Sequence, residues 1–340
     1  MTASGQHPDA VPRRSRRRGG ASPPRRLRRV VRPLVASSLV ALALVTVASF
    51  VYDAATAGRV APPPGLRFVD AGGIETRYRT WGNHGPTVVL VPGAFETADT
   101  FAALGDALGA GNRVFALDLT GTGYSRPVAP FNADHLAAQL VNFMQAMGLT
   151  GPDAPLLVGH SSGAAVVGLA ALRAGQDVSG VVFLDGDATP LARPGLLAMV
   201  AVDPYRTTAL RLVVRSDWII REVYNSQCGP GCPRLTAAGV AGWRRPLEQP
   251  GFASCLAYML RHGIPSLTPA QFDGLRRAQV AKGVIYGRGD PQLGSAAAAA
   301  LAARIGAPAA MAVPGRHLTM ISSPTELARA IQAWRAAARR

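Results

Sequence analysis

Lysine is nearly missing from this 340-residue chain: Lys282 stands alone, and arginine carries the rest of the basic charge. Aromatic residues make up only 6% and charged residues 16%. With so few aromatics, no stacking platform interleaves with the arginines, so the formal charge of +16 does not point to a nucleic-acid partner. Cysteine is scarce too, with Cys228 and Cys232 in "QCGPGC" and Cys255 beyond them. A zinc site needs a fourth ligand at suitable spacing, and none is apparent, so no metal is expected. In an oxidising compartment three cysteines allow one disulfide, whose pairing the sequence leaves open, and one free thiol. The 48% hydrophobic content is that of a globular chain long enough for a full core.

The charge is unevenly placed. Ten arginines fall within residues 1–32 against one acid, Asp9, so nine of the sixteen net charges sit in a tail expected to be disordered over 1–33. Residues 34–52, "LVASSLVALALVTVASFVY", follow with no charge at all. As a helix they reach across a hydrocarbon layer of roughly 30 Å, and the cationic flank orients the N-terminus inside and the rest of the chain outside. The length favours an uncleaved anchor over a signal peptide cut near Ala57, where Ala55-Thr56-Ala57 offers a small-x-small site. Either way the remainder is expected outside the cytoplasm. Residues 53–65, ending in "APPPG", read as a linker.

From residue 66 short β-type runs alternate with helical stretches. Strands are expected at 66–70, 74–82, 87–93, 112–119, 154–159, 179–186, 282–287 and 309–315, with helices at 97–109, 133–148, 163–174, 295–305 and 324–338. Near-continuous apolar strands such as "TVVLVPG" suit a parallel sheet buried on both faces, and the alternation implies a doubly wound α/β layer of eight strands. The rhythm breaks over 187–279, which reads as a mainly helical insertion with pieces at 196–202, 210–224 and 252–263.

"LLVGHSSGAAVVG" (156–168) is where chemistry is expected. A serine nucleophile gains exposure on a tight strand-to-helix turn whose neighbours two residues away must be small. Ser161 has Gly159 and Gly163 there; Ser162 would have His160 and Ala164, so Ser161 is the candidate and Ser162 supplies a backbone N–H. The base is sought among six histidines, and His317 in "VPGRHLTMISSP" directly follows the last strand. Asp290 in "VIYGRGDP" ends the strand before it and is the candidate acid, with Asp185 and Asp187 as fallbacks. The order Ser161, Asp290, His317 matches a Ser-Asp-His arrangement. A second oxyanion donor is expected from the loop "VPGAF", at the Ala94 N–H with Phe95 as alternative. "LDLTGTGYSRP" (117–127) lacks the lysine and spacing of a phosphate loop and reads as a shaped structural turn.

"VPGAF", "LDLTGTGYSRP", "GHSSG", "GRGDP" and "PGRHLTMISSP" together resemble the α/β-hydrolase superfamily over roughly 66–338. The resemblance implies that 187–279 is a cap inserted after the sixth strand. It also implies a serine hydrolase that cleaves a carboxylic ester through an acyl-enzyme, with no cofactor. Two positions depart from the family pattern: Pro92 stands where a histidine is common before the oxyanion loop, and Arg316 where a glycine often precedes the catalytic histidine. An apolar acyl group is expected from Trp218, Leu256, Tyr258 and Met259 in the cap. The rival readings are a non-catalytic binder of a small apolar ligand or partner, or a related amidase, lipase, carbon–carbon hydrolase or perhydrolase.

Overall fold

The structure, a computed structural model, describes residues 25–56, 60–190 and 202–338, with side chains from residue 31 onward. The basic tail over 1–24, Ala57, and the helical reading of 196–201 lie outside the described residues. Residues 1–48 and 49–340 form two units. Helix α1 (Arg25–Ala55) starts in the first and ends in the second. Its stretch Val31–Ala55 has a mean hydropathy of 2.4 and is long and apolar enough to cross a membrane, as an anchor or a signal sequence also is.

The second unit is built on one eight-stranded sheet. Its strands are β1 (Arg67–Asp70), β2 (Glu75–Trp81), β3 (Thr87–Val91), β4 (Arg113–Leu117), β5 (Leu156–His160), β6 (Gly180–Leu184), β7 (Lys282–Gly287) and β8 (Ala310–Val313). They lie in the order β1-β2-β4-β3-β5-β6-β7-β8. The pairs β1/β2 and β2/β4 are antiparallel and all later pairs parallel, as the apolar runs predict. Every residue of β3, β5, β6 and β7 is buried. Side chains alternate between two cores: Val89 and Val91 face one, Val88 and Leu90 the other. The first core is closed by α3 (Ala133–Ala146), α4 (Gly163–Ala174), α9 (Pro269–Arg277) and α10 (Ser295–Ile305). The second is closed by α2 (Ala102–Gly109), the short α11 (Thr319–Ser322) and α12 (Pro324–Ala338). A helical turn, Ala98–Phe101, precedes α2, so the helix expected over 97–109 is two pieces.

Between β6 and β7 the chain leaves the sheet and forms α5 (Tyr205–Arg215), α6 (Asp217–Cys228), α7 (Ala237–Leu247) and α8 (Phe252–His262) before α9. The piece expected as one helix over 210–224 is broken at Ser216. Its backbone is extended, and its hydroxyl accepts the Ile219 N–H, capping α6. A serine–aspartate pair is a helix start, and here it overrides the apolar run on either side. Cys228 and Cys232 form a disulfide at the end of α6, and Cys255 is free and buried in α8.

Candidate active site

Five loops converge where β3, β5, β6, β7 and β8 end. Ser161 follows β5 with φ of +51°, a region that costs a residue with a side chain and persists only where the surroundings fix it. The fixing groups are visible. The Ser161 N–H donates to the Leu184 carbonyl at 2.9 Å, and the Ala164 N–H closes the turn on the Ser161 carbonyl at 3.0 Å. A Cβ on Gly159 would run into the Gly163 carbonyl, and one on Gly163 would lie 2.6 Å from the Pro92 carbonyl oxygen. Both flanking glycines are therefore required for the chain to pass, as the sequence spacing suggested. Ser162 follows with helical backbone and is buried, at the start of α4.

Asp290 and His317 meet. Asp290 Oδ2 accepts from His317 Nδ1 at 3.0 Å, and Asp290 Oδ1 accepts the Gln292 N–H at 2.8 Å. Both side chains are nearly sealed from solvent. With Nδ1 turned to the carboxylate, Nε2 is the ring nitrogen left for the cavity, whose wall includes both His317 and Ser161. The fallback acids serve other ends. The Asp185 carboxylate accepts the Gly287 N–H at 2.6 Å and the Thr319 hydroxyl. Burial pushes its pKa up to about 7, against the His160 charge and those two hydrogen bonds. Asp187 binds the Thr189 N–H and hydroxyl, at 2.9 Å and 2.6 Å.

The loop after β3 lies directly on the serine: a Cβ on Gly93 would come within 2.8 Å of the Ser161 Cβ. Ala94 and Phe95, the two candidate oxyanion donors, line the cavity. Phe95 adopts φ of +66° and stacks edge-on against Phe252 of α8. Sequence reasoning missed Glu96. Its Oε2 accepts the Gly93 N–H at 2.9 Å and lies 2.8 Å from His160 Nδ1, while His160 Nε2–H donates to the His317 carbonyl at 2.8 Å. Burial raises the Glu96 pKa, but the charge and hydrogen bond of His160, with the Gly93 N–H, outweigh it and hold the carboxyl below its ordinary 4.5. Burial likewise opposes protonation of His160, and the Glu96 charge overrides it, bringing the imidazole up to about 9. The two form a buried ion pair at neutral pH. The one available signal was a lone acid three residues after Gly93, too short a pattern to single out.

The cavity measures about 520 Å³. Glu96, Ser161, His317 and Gln292 lie at its sheet side, and its walls are Leu210, Val213 and Val214 of α5, Ile219, Ile220, Val223 and Tyr224 of α6, Trp243 and Leu247 of α7, and Phe252 and Leu256 of α8. Of the four cap residues expected at the acyl group, only Leu256 lines it. Trp218 is 71% exposed, whereas Ile219 and Ile220 beside it in α6 line the cavity. Tyr258 packs on Phe131, and Met259 joins Phe131 and Cys255 in a small separate core. The end of α6 grips the histidine loop: the Leu318 N–H reaches the Gln227 carbonyl at 3.3 Å, and Arg316 Nη1 donates to the Ser226 carbonyl at 3.1 Å. Arg316, one of the two family departures, thus ties the end of α6 to the loop that carries His317. Among the described residues no cluster of three or more metal-ligating side chains occurs.

Comparison with known proteins agrees with this architecture. Residues 88–330 match the model of the alpha/beta hydrolase family. A curated relative, the N-formylmaleamate deformylase of Pseudomonas putida, is 31% identical over 145 residues, which are 42% of this chain and 52% of that protein. The chain thus spans about half the length of the curated relative it matches. Among solved structures, a membrane phospholipase A described as a bacterial virulence factor superposes with a TM-score of 0.64 at 20% identity, covering 92% of this chain and 99% of that one. A thermophilic esterase from Thermogutta terrifontis gives 0.62 at 22% identity, covering 83% and 99%. At such identities these two establish the fold alone.

Proposed function

The chain belongs to the α/β hydrolase family, and from that membership we propose that it is a serine hydrolase acting on carboxylic esters with an apolar acyl group. One observation carries the reading: an Asp290–His317 pair with its second imidazole nitrogen free stands on the same cavity as Ser161, itself held on a strained turn. A serine hydroxyl at its ordinary pKa is a weak nucleophile and needs such a base. Ser161 Oγ attacks the ester carbonyl while His317 Nε2 takes its proton. The carbonyl oxygen becomes an oxyanion held by the Ala94 and Ser162 N–H groups, the latter at the positive end of α4. Collapse expels the alcohol, which receives the proton from His317. Water, deprotonated by the same imidazole, then attacks the acyl-Ser161 ester and returns the free serine and a carboxylic acid. Asp290 holds the tautomer in which Nε2 can act and stabilises the imidazolium.

The largely apolar walls supplied by α5, α6 and α8 support an apolar acyl group, since they offer it burial and few hydrogen-bonding partners. The apolar stretch of α1 supports a membrane-anchored enzyme with its catalytic part outside the cytoplasm. The reading is tested by labelling with a fluorophosphonate. Wild type is expected to react and Ser161→Ala to stay unlabelled; equal labelling of both proteins would refute it.

A further inference from the structure

His160 has no free nitrogen with which to do chemistry. Nδ1 faces Glu96 at 2.8 Å, Nε2 donates to the His317 main-chain carbonyl at 2.8 Å, and the ring is wholly buried. Yet a buried ion pair is costly to assemble, and a pair of well-packed apolar side chains often serves stability as well. This pair is also placed with unusual economy. Through the Gly93 N–H, Glu96 holds the loop that carries Ala94. His160 precedes Ser161 in the chain, so its ring position constrains the turn from the N-terminal side. Its other nitrogen holds the backbone of the base itself, with the two imidazole rings 4.8 Å apart.

We propose that Glu96 and His160 are positioning residues. Their buried carboxylate–imidazolium contact is a cross-brace that sets the oxyanion loop, the nucleophile turn and the His317 loop at working distance from one another. The proposal rests on the serine-hydrolase reading of the same site. Neither residue makes or breaks a bond in the proposed reaction, although Glu96 borders the cavity; each acts by fixing the loops that carry the reacting groups. A shift of about 1 Å in a reacting group is enough to cost about 10²-fold in rate.

The brace is ionic, which gives it a signature that a merely structural contact lacks. The titratable groups facing His160 are Glu96, Asp185 and the His317 ring. When His160 loses a ring proton, near pH 9, one of its nitrogens is left presenting a lone pair to an acceptor, the Glu96 carboxylate or the His317 carbonyl, and that arm of the brace fails. In Glu96→Gln an amide oxygen in place of Oε2 accepts both the Gly93 N–H and the Nδ1–H of a neutral His160, the Nε2–H to the His317 carbonyl is given up, and nothing in the brace titrates at high pH.

The test uses the full-length protein in detergent with p-nitrophenyl esters, reading kcat and KM across pH 6–10, alongside fluorophosphonate labelling rates and unfolding midpoints. Glu96→Leu is expected to lose about 10²-fold in kcat and in labelling rate, with KM within about twofold of wild type. Glu96→Gln is expected to retain about a tenth of kcat at pH 7.5 and to lack the alkaline decline expected of wild type near pH 9. If Glu96→Leu does not fold, the pH profile of Glu96→Gln decides alone. Superimposable profiles for Glu96→Gln and wild type, or a folded Glu96→Leu labelled at the wild-type rate, would overturn the brace while leaving the serine reading intact. A wild type that is not labelled at Ser161 would remove both.

Discussion

At the floor of the cavity almost every polar side chain is committed to a second group: Asp290 to His317, Glu96 to His160, Asp185 to Thr319. The walls above, from α5, α6 and α8, are apolar, with Val214, Tyr224 and Phe252 buried and Val213 and Val223 about half exposed at 47% and 57%. The floor stands on strands buried along their whole length, whereas the walls belong to helices carried on the long excursion between β6 and β7. Precision costs interactions, and on the proposed reading it is concentrated where bonds would be made and broken. The walls need only exclude water and match a shape, and their selectivity is correspondingly easier to alter than the chemistry.

That contrast is broken most severely at the floor. Asp290→Asn leaves the geometry close to native but lets His317 take the wrong tautomer, and kcat is expected to fall by about 10³- to 10⁴-fold with little change in unfolding midpoint. A smaller, directional effect is expected from the walls. Ile220→Trp fills the part of the cavity lined by α6, and should cut kcat/KM for long-chain p-nitrophenyl esters by about tenfold while sparing acetate and butyrate. An equal loss on every chain length would mean that the walls, like the floor, set the chemistry.

The smallest expected effect is thermodynamic. The folded state raises His160 from 6.5 to about 9, so the unfolded chain gives up this proton first as pH rises. Its contribution is whole below pH 6.5 and is lost as pH climbs through about 9. Asp185, raised from 3.8 to about 7, adds a penalty that grows over that lower interval and is constant above it. The unfolding midpoint of wild type is therefore expected to decline between pH 7 and 10, and that of Glu96→Gln to decline less over the same interval. Parallel curves would place the alkaline sensitivity outside the floor.

The two regions also differed in how far they could be read from sequence. Strands such as 87–93 and 154–159 were legible because burial on both faces leaves an unbroken apolar run, and Gly159 and Gly163 mark the turn that only small residues permit. Asp290 and His317 were legible from strand ends, where parallel sheets gather their chemistry. The Glu96–His160 contact was not, since it joins residues 64 apart with no periodic signal. Nor was the placement of Trp218, because an apolar run does not say which of its residues face the cavity, and Ile219 and Ile220 beside it do. The disulfide was legible as a possibility and its pairing only in three dimensions.

The central claim is that Ser161 becomes acylated, and the most direct test is to trap that ester. Full-length His317→Ala, mixed with a p-nitrophenyl ester and quenched with acid, would be digested and its peptides weighed against wild type quenched within one turnover. The account predicts the acyl mass on Ser161 in wild type and its near absence in the variant. An acyl group found on Ser162, or a wild type that turns over substrate while its peptide spanning 156–168 never carries one, would contradict it.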